Sequence, residues 1–209
     1  MQIIIPFSSR EPKTRLDSVL TSEERRAFAG VMLEDVARAV ELAGSAPIIL
    51  STEPIEVPWE VIVDERPLSL AVNGLLENSK GPIAIVMSDL AIVTAENIKQ
   101  LTEARGDIII APGNLGGTNA FVTYSPEFRV DYHGASYLDH IKMAKKIGRD
   151  VVVVDSFRLA TDIDVKEDLI EILIHGEGKS KEWLSERGFY LEIQGENRVG
   201  ISRRGSRWQ

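Results

Sequence analysis

The most informative stretch of the sequence is a short apolar run that ends in an aspartate. In residues 82–90, PIAIVMSDL, five apolar residues from Ile83 to Met87 come before Ser88 and Asp89. An unbroken aliphatic run of this length is typical of a strand buried on both faces in a parallel sheet. Ligands of open α/β sheets bind just beyond the carboxyl ends of such strands. Asp89 is therefore a candidate ligand or metal carboxylate, and the alternative is a turn or helix cap.

A cationic loop follows the first predicted strand. That strand covers residues 2–6, and Arg10, Lys13 and Arg15 come in the polar segment after it. Cations close together on one loop can hold phosphate oxygens through charge-assisted hydrogen bonds. The loop lacks the Walker A pattern, so it is not a P-loop. A solvated surface loop is the alternative.

A glycine-rich segment is the third candidate. Residues 112–119 read PGNLGGTN and contain three glycines. Glycines let the backbone approach a ligand closely, and free backbone N–H groups can form an anion-binding nest. The spacing is not that of the dinucleotide-binding motif. The segment is therefore a candidate ligand loop, and an ordinary wide turn is the alternative.

A pair of aspartates, Asp162 and Asp164, is separated by one residue. Alternate residues of an extended segment point the same way, so two carboxylates here could bind a hard cation such as Mg²⁺. In the alternative, Asp164 caps the helix that follows. We find no case for nucleophilic side-chain catalysis, because no serine or threonine has an evident triad and the histidines lack metal-ligand spacing: His133, His140 and His175.

The elements that must position these residues alternate between strands and helices. Apolar runs predict strands at residues 2–6, 47–50, 59–63, 83–87, 107–111, 120–124, 151–154 and 190–193. Helical spacing predicts helices at residues 21–44, 69–76, 94–104, 134–147, 166–174 and 179–187. Residues 120–124 alternate like a half-exposed or edge strand, and residues 151–154 read as a final buried strand. This βαβ order predicts an α/β fold, a Rossmann-like, mostly parallel twisted sheet with helices on both faces.

Size and composition limit the function classes. The chain has 209 residues, of which 44% are hydrophobic and 27% charged, and it has no cysteine. We expect one domain over residues 1–195 and a polar, arginine-bearing tail over residues 196–209. The absence of cysteine excludes disulfides and thiolate metal sites and fits a cytoplasmic protein. We expect no membrane span, because no apolar run approaches roughly 18 residues, and no signal peptide, because the N-terminus lacks that pattern.

The acidic charge balance limits the partners. A net charge of −8 argues against nucleic-acid binding. It does not argue against an anionic small ligand, because a local basic patch can still bind one.

Taken together, these segments resemble one family. IPFSSREPKTRL, SDL, PGNLGGTN, HGASYLDH and DIDVKEDL occur in the order typical of the 2-phospho-L-lactate guanylyltransferases of coenzyme F-420 biosynthesis. The resemblance runs from Ile3 to about Leu184. The family often has proline after SDL, whereas this chain has Ala91, which would affect the shape of a turn. The arginine-bearing tail is not explained by the resemblance.

The resemblance implies a nucleotidyltransferase of the glycosyltransferase-A type. It would move GMP from GTP to the phosphate of 2-phospho-L-lactate, giving lactyl-2-diphospho-5'-guanosine and pyrophosphate. Related members use phosphoenolpyruvate or 3-phosphoglycerate as the acceptor. The implied partners are therefore GTP and a small phosphorylated carboxylic acid, and the implied assembly is a homodimer.

The resemblance also implies roles for the candidate residues. Lys13 and Asp89 would be catalytic, and the Mg²⁺ ligands would be Asp89, Asp162 and Asp164. The nucleotide and its phosphates would be bound by Lys13, Arg15, Gly116, Gly117, Thr118 and Asn119. The acceptor would be bound by Thr118, Gly134 and Ser136. The base pocket would include the region of residues 70–73.

This chemistry suits a site without a side-chain nucleophile. A phosphate monoester has a second pKa of about 6, so near pH 7 it is already mostly a dianion. The task of the site is to bring two polyanions together, which metal ions and fixed cations do. Three alternatives stay open: a nucleotidyltransferase with other substrates, a glycosyltransferase, and a non-catalytic nucleotide-binding protein on the same fold.

Overall fold

A computed structural model of the chain describes residues 1–10, 12–195 and 198–205. Within these residues the strands, in chain order, are β1 (Gln2–Phe7), β2 (Pro47–Ser51), β3 (Glu60–Val63), β4 (Ile83–Val86), β5 (Ile108–Pro112), β6 (Thr118–Thr123), β7 (Val151–Val153), β8 (Phe189–Gln194) and β9 (Arg198–Arg203). The helices are α1 (Ser22–Leu42), α2 (Leu68–Asn78), α3 (Ala95–Glu103), α4 (Ser136–Lys146), α5 (Phe157–Ala160), α6 (Leu169–His175) and α7 (Lys179–Glu186).

Seven strands form one sheet in the order β3-β2-β1-β4-β6-β5-β7. Strand β1 pairs in parallel with both β2 and β4, and the β2–β3 and β5–β7 pairs are also parallel. Strand β6 runs antiparallel to both of its neighbours, β4 and β5. The predicted fold, a mostly parallel α/β sheet, is confirmed.

Helices cover both faces of this sheet, because successive residues of each buried strand point to opposite sides. On one side Ile3, Ile5 and Val86 pack in a core with residues of α1 and α3. On the other side Ile4 and Ile85 pack with residues of α2 and α4. Apolar side chains on both faces explain the unbroken isoleucine runs. No described helix has the length and apolarity needed to cross a membrane.

The structure corrects the prediction for residues 120–124. Residues 120–123 belong to β6, which lies inside the sheet and whose residues are all buried, whereas Tyr124 follows the strand and is 51% exposed. The expected half-exposed or edge strand is therefore wrong. The polar residue that produced the alternation is satisfied internally, because Thr123 Oγ1 accepts a hydrogen bond from Ser125 N at 3.0 Å.

The structure also corrects the prediction for residues 151–154. Strand β7 is the edge strand of the sheet, and Val153 is 45% exposed. The strand predicted at residues 190–193 lies within β8, which pairs with β9 as an antiparallel hairpin. Valine favours strands at edges and interiors alike, so the sequence does not distinguish the two positions.

The arginine-bearing end of the chain contributes ordered structure. Residues 198–203 of the predicted polar tail form β9, which pairs with β8. Arg203 at the end of β9 donates hydrogen bonds to Glu24 at the start of α1, at 2.5 and 3.2 Å. Residues 196, 197 and 206–209, including Arg207, lie outside the described residues.

Candidate functional site

The predicted site segments meet at one edge of the sheet. The parallel strands β1, β4 and β5 all have their carboxyl ends there. The antiparallel β6 begins at the same edge, since Met87 N donates to Asn119 O at 2.9 Å. The cationic loop after β1, Asp89 after β4 and the glycine-rich loop after β5 are therefore neighbours.

Lys13 lies between two of the predicted aspartates. Its Nζ donates to Asp89 Oδ2 at 2.6 Å and to Asp164 Oδ1 at 2.8 Å. Burial alone would lower the pKa of Lys13, but the charges of the two carboxylates outweigh it and raise the pKa. The backbone of Lys13 has a φ of 55°, a left-handed conformation that costs a non-glycine residue about 1 kcal/mol or more. The fold therefore maintains a strained backbone that directs a charged ammonium at the carboxylates.

Asp164 takes part in the site and does not cap a helix. The backbone N–H groups of Asp164 and Val165 donate to Asp168 Oδ2, at 2.7 and 2.8 Å, so Asp168 caps this turn. Arg15 Nη1 lies 3.5 Å from Asp164 Oδ2, but its side chain is 68% exposed. Burial would raise the pKa of Asp164, whereas the charge of Lys13, with Arg15, lowers it. The alternative interpretation of Asp164 as a helix cap is wrong.

Asp162 is connected to the glycine-rich segment through Asn119. Asn119 Nδ2 donates to Asp162 Oδ1 at 3.2 Å and to Leu159 O at 3.0 Å. Burial raises the pKa of Asp162, and the nearby charges of Asp89 and Asp164 raise it further. The structure therefore brings Asp89, Asp162 and Asp164 into electrostatic contact, as the sequence predicts.

The carboxylates do not form a ready-made metal cage. Among the described residues, no three His, Cys, Asp or Glu side chains converge as metal ligands. The ammonium of Lys13 lies between Asp89 and Asp164. Nevertheless, Asp89 Oδ1 is buried and has no hydrogen-bond partner. This oxygen lies near the charge of a second carboxylate, that of Asp162. A buried carboxylate oxygen without a hydrogen bond in such surroundings is suited to bind a hard divalent cation.

The glycine-rich loop requires its glycines. A Cβ at Gly113 would lie 2.2 Å from Asn119 Oδ1, so glycine at this position makes room for the amide that binds Asp162. Gly116 has a φ of +89°, which favours glycine, and its nearest neighbour is Ala135, just before α4. Gly113 N donates to Gly117 O at 2.8 Å and closes the loop. The loop is thus a compact turn between Asp162 and the start of α4.

The predicted acceptor residues lie on two neighbouring segments, the start of β6 and the start of α4. Ser136 is the first residue of α4 and is buried. Gly134, two residues earlier, has a φ of +62°, and a Cβ at this position would have no neighbour within 4 Å. Thr118 Oγ1 lies 2.9 Å from Nδ1 of His140 on α4. This hydrogen bond connects β6 to α4, so the two acceptor segments are held together.

His140 is a site neighbour that the sequence did not assign to the site. Its Nε2 accepts a hydrogen bond from Asp131 N at 3.0 Å, so in the neutral ring the proton is on Nδ1. Nδ1–H therefore donates to Thr118 Oγ1, and the threonine hydroxyl proton stays available to another acceptor. Burial lowers the pKa of His140 to about 4, which keeps the ring neutral at pH 7. The i, i+4 spacing from Ser136 on one helix was the available signal.

A cavity opens on the other side of Asp89. It has a volume of about 200 Å³ and lies over the carboxyl ends of β1, β2 and β4. Its wall includes Ser88, next to Asp89, and Leu68 and Ala71 of α2. Of the predicted base-pocket region, residues 70–73, only Ala71 lines the cavity. Leu70 is 55% exposed, and the amide of Asn73 forms hydrogen bonds with the backbone of Val130.

Comparison with known proteins shows the family of the chain. The family model described as "Guanylyl transferase CofC like" matches residues 1–204. The chain belongs to this family. The family predicted from the sequence motifs is therefore confirmed, and the match includes residues 185–204, beyond the motifs that carried the resemblance.

Curated relatives cover nearly the full chain. A 2-phospho-L-lactate guanylyltransferase from Halomicrobium mukohataei is 50% identical over 193 residues, which are 92% of this chain and 95% of the relative. One with the same description from Methanoculleus marisnigri is 45% identical over 203 residues, 96% of this chain and 94% of the relative.

Solved structures show the same fold at low identity. A protein described as a nucleotide-diphospho-sugar transferase from Desulfovibrio desulfuricans has a TM-score of 0.72 at 14% identity, covering 90% of this chain and 96% of its own. A nucleotidyl transferase from Methanothermobacter has a TM-score of 0.56 at 14% identity, covering 88% and 99%. At this identity the likeness shows the fold alone.

Proposed function

We propose that this chain transfers GMP from GTP to the phosphate of 2-phospho-L-lactate and releases pyrophosphate. The observation that carries the proposal is the buried ammonium of Lys13 between Asp89 and Asp164, at the edge where the predicted nucleotide and acceptor segments meet. The names of relatives at 45 and 50% identity support the choice of substrates.

The proposed reaction is an in-line displacement at phosphorus. A phosphate oxygen of the acceptor attacks the α-phosphorus of GTP, the new P–O–P bond forms, and the bond to the β-phosphate oxygen breaks. The acceptor phosphate is already a dianion at neutral pH, so no residue needs to remove a proton. This agrees with a site that offers cations and carboxylates without a nucleophilic side chain.

Lys13 and the aspartates have complementary roles in this proposal. Lys13 turns its ammonium toward the triphosphate as negative charge collects on the departing pyrophosphate. Asp89, Asp162 and Asp164 would hold Mg²⁺, which would neutralise phosphate charge. Arg15, exposed beside Asp164, contributes a second cation at the rim.

The acceptor would lie between the glycine-rich loop and α4. Gly116 and Gly117 bring backbone N–H groups to the phosphates, and Asn119 supports the same site by donating its amide protons to Leu159 and Asp162. The hydroxyl proton of Thr118 is available to a phosphate oxygen because His140 fills its acceptor side. Gly134 and Ser136 contribute the start of α4, where unpaired backbone N–H groups favour an anion.

The experiment is a pyrophosphate-release assay with purified protein, GTP and Mg²⁺. The acceptors are 2-phospho-L-lactate, phosphoenolpyruvate and 3-phosphoglycerate, and unphosphorylated L-lactate is the control. We expect the highest kcat/KM with 2-phospho-L-lactate and no release with L-lactate. Preference for L-lactate would refute the proposed chemistry, and preference for another phosphorylated acid would refute the proposed acceptor.

Two substitutions test the charged group in the same assay. We expect Asp89→Asn and Lys13→Ala each to lower kcat/KM at least about 100-fold, because each removes charge stabilisation of the transition state. The matched control is Asp150→Asn, an exposed aspartate before β7. Near-parental activity in Asp89→Asn over a Mg²⁺ titration would contradict the metal assignment. The homodimer and the cytoplasmic location stay predictions.

A further inference from the structure

The ammonium of Lys13 lies directly between two of the proposed metal ligands. Its Nζ donates to Asp89 Oδ2 at 2.6 Å and to Asp164 Oδ1 at 2.8 Å, so it bridges one oxygen of each carboxylate. The side chain of Lys13 is only 12% exposed, so water competes little for these charge-assisted hydrogen bonds. Lys13 is therefore the cation that the two carboxylates share.

These two oxygens are not open to a divalent metal ion in this arrangement. A doubly charged cation on Asp89 Oδ2 and Asp164 Oδ1 would lie against the ammonium, and like charges in close contact repel strongly in a partly buried site. Accordingly, within residues 1–10, 12–195 and 198–205, no three acidic, histidine or cysteine side chains converge as metal ligands. Lys13 and a metal ion are thus alternative partners of the same oxygens.

The ammonium satisfies this group of carboxylates incompletely. Lys13 reaches Oδ2 of Asp89, whereas Oδ1 is buried and has no hydrogen-bond partner. Asp162 lies close enough to Asp89 for their charges to repel each other. A hard divalent cation would compensate more of this negative charge than one ammonium does. The group is therefore suited to exchange one cation for the other.

Lys13 can release the carboxylates without unfolding its loop. Its backbone is anchored, because Leu16 N donates to Lys13 O at 2.9 Å and Leu16 is buried. The ammonium stands at the end of a flexible four-carbon stem, whose torsions rotate while the backbone stays in place. The exchange therefore needs only a side-chain movement.

We propose that Lys13 is the resident cation of these carboxylates and excludes a free divalent metal ion from the nucleotide-free protein. This inference rests on the proposed function, because it concerns the metal ligands of the same site. A ligand shifts such an equilibrium only by binding one state better than the other. A triphosphate would do so, since its oxygens offer the ammonium new partners, and the metal ion would then enter together with the nucleotide.

The test is the binding of Mn²⁺ without nucleotide or acceptor, followed by the electron paramagnetic resonance signal of the free ion. We expect Lys13→Met to bind Mn²⁺ at least about 10-fold more tightly than the parent, because loss of the ammonium leaves the carboxylates uncompensated. The double variant Lys13→Met/Asp89→Asn should lose this gain. The matched control is Arg10→Met, which removes the same charge from a residue of the same loop whose side chain is 61% exposed. It should change the affinity less than about threefold.

A gain in Lys13→Met no larger than that of the control would overturn the inference, and so would a gain that survives Asp89→Asn. If Lys13→Met does not fold, Lys13→Gly is measured with the same expectations, because glycine suits the φ of 55° at this position. A further measurement needs no substitution of Lys13. A rise in the thermal midpoint of the parent with Mn²⁺ alone, abolished by Asp89→Asn, would also overturn the inference.

The two proposals fail in different ways. Pyrophosphate release by the parent without the gain in Mn²⁺ affinity would refute the role of Lys13 as resident cation and leave the proposed function intact. The gain in Mn²⁺ affinity without pyrophosphate release on any acceptor would refute the proposed function alone.

Discussion

Replacing His140 by glutamine should flatten the dependence of stability on pH. His140 is 1% exposed, and its ring packs against those of Tyr132, Phe128 and Phe121 at centroid distances of 5.4, 5.9 and 6.4 Å. Burial lowers its pKa from 6.5 to about 4, although the nearby carboxylates of Asp131 and Asp139 oppose the shift. Glutamine has a similar polar reach but does not titrate.

The sign of the effect follows from proton binding. Between pH 6.5 and about 4 the unfolded chain binds a proton at this histidine that the folded chain does not, so acid favours unfolding. A shift of roughly 2.5 pKa units, with half protonation at the lower limit, corresponds to about 3 kcal/mol of stability lost across this window. Above pH 6.5 the contribution of His140 is constant.

The assay is urea unfolding of parent and His140→Gln at several values between pH 4 and 7. At pH 7 the variant should be the less stable protein, because Thr118 and Asp131 lose their ring partner. This deficit should shrink by about 3 kcal/mol at pH 4. His175→Gln, at a histidine whose side chain is 42% exposed, is the control and should change the profile much less. A constant difference between parent and His140→Gln across the range would refute the reasoning.

Three further substitutions test other parts of the structure. Thr118→Val should raise the KM for the acceptor about tenfold and leave the KM for GTP unchanged in steady-state kinetics, whereas Thr118→Ser should restore it. Asp35→Ala should lower the free energy of unfolding by about 1 kcal/mol, because Asp35 on α1 accepts hydrogen bonds at 2.8 Å from the first two N–H groups of α7; Asp35→Asn keeps one acceptor oxygen and should restore only a minor part of it. Arg203→Ala should cost about 2 kcal/mol in urea unfolding, since it removes charged hydrogen bonds to Glu24, while exposed Arg198→Ala should stay within about 0.5 kcal/mol.

The main elements of the fold could be predicted because their signals are local. Thr21 and Glu24 form a capping box at the start of α1, with hydrogen bonds of 3.0 and 3.2 Å, and their three-residue spacing is visible in the sequence. The isoleucine run of β1 marked a strand buried on both faces. The position and direction of β6 had no local signal. A buried antiparallel strand in a mostly parallel sheet is defined by the strands beside it. The sequence pattern of residues 120–124 fits an edge strand equally well.

The sequence could name the candidate residues of the site but not the hydrogen bonds that connect them. The resemblance named Lys13, Asp89, Asp162 and Asp164, and the structure brings them together. Side-chain hydrogen bonds across 76 and 151 residues of chain leave no trace in local spacing. The cap provided by Asp168 is local, but the sequence offers two aspartates for one turn, so only the coordinates show that Asp168 caps it and leaves Asp164 to the site.

The sequence by itself determined the order of strands and helices, the family and the residue types that can bind phosphate and a divalent cation. Apolar periodicity and short motifs are properties of neighbouring residues, so they are legible without a fold. Only the tertiary structure decided that the ammonium of Lys13 lies between two carboxylates, that His140 orients the hydroxyl of Thr118, and that Ser88, next to Asp89, lines a cavity. Those facts depend on which distant strand ends meet, and burial then sets the charge and hydrogen bonding of each group.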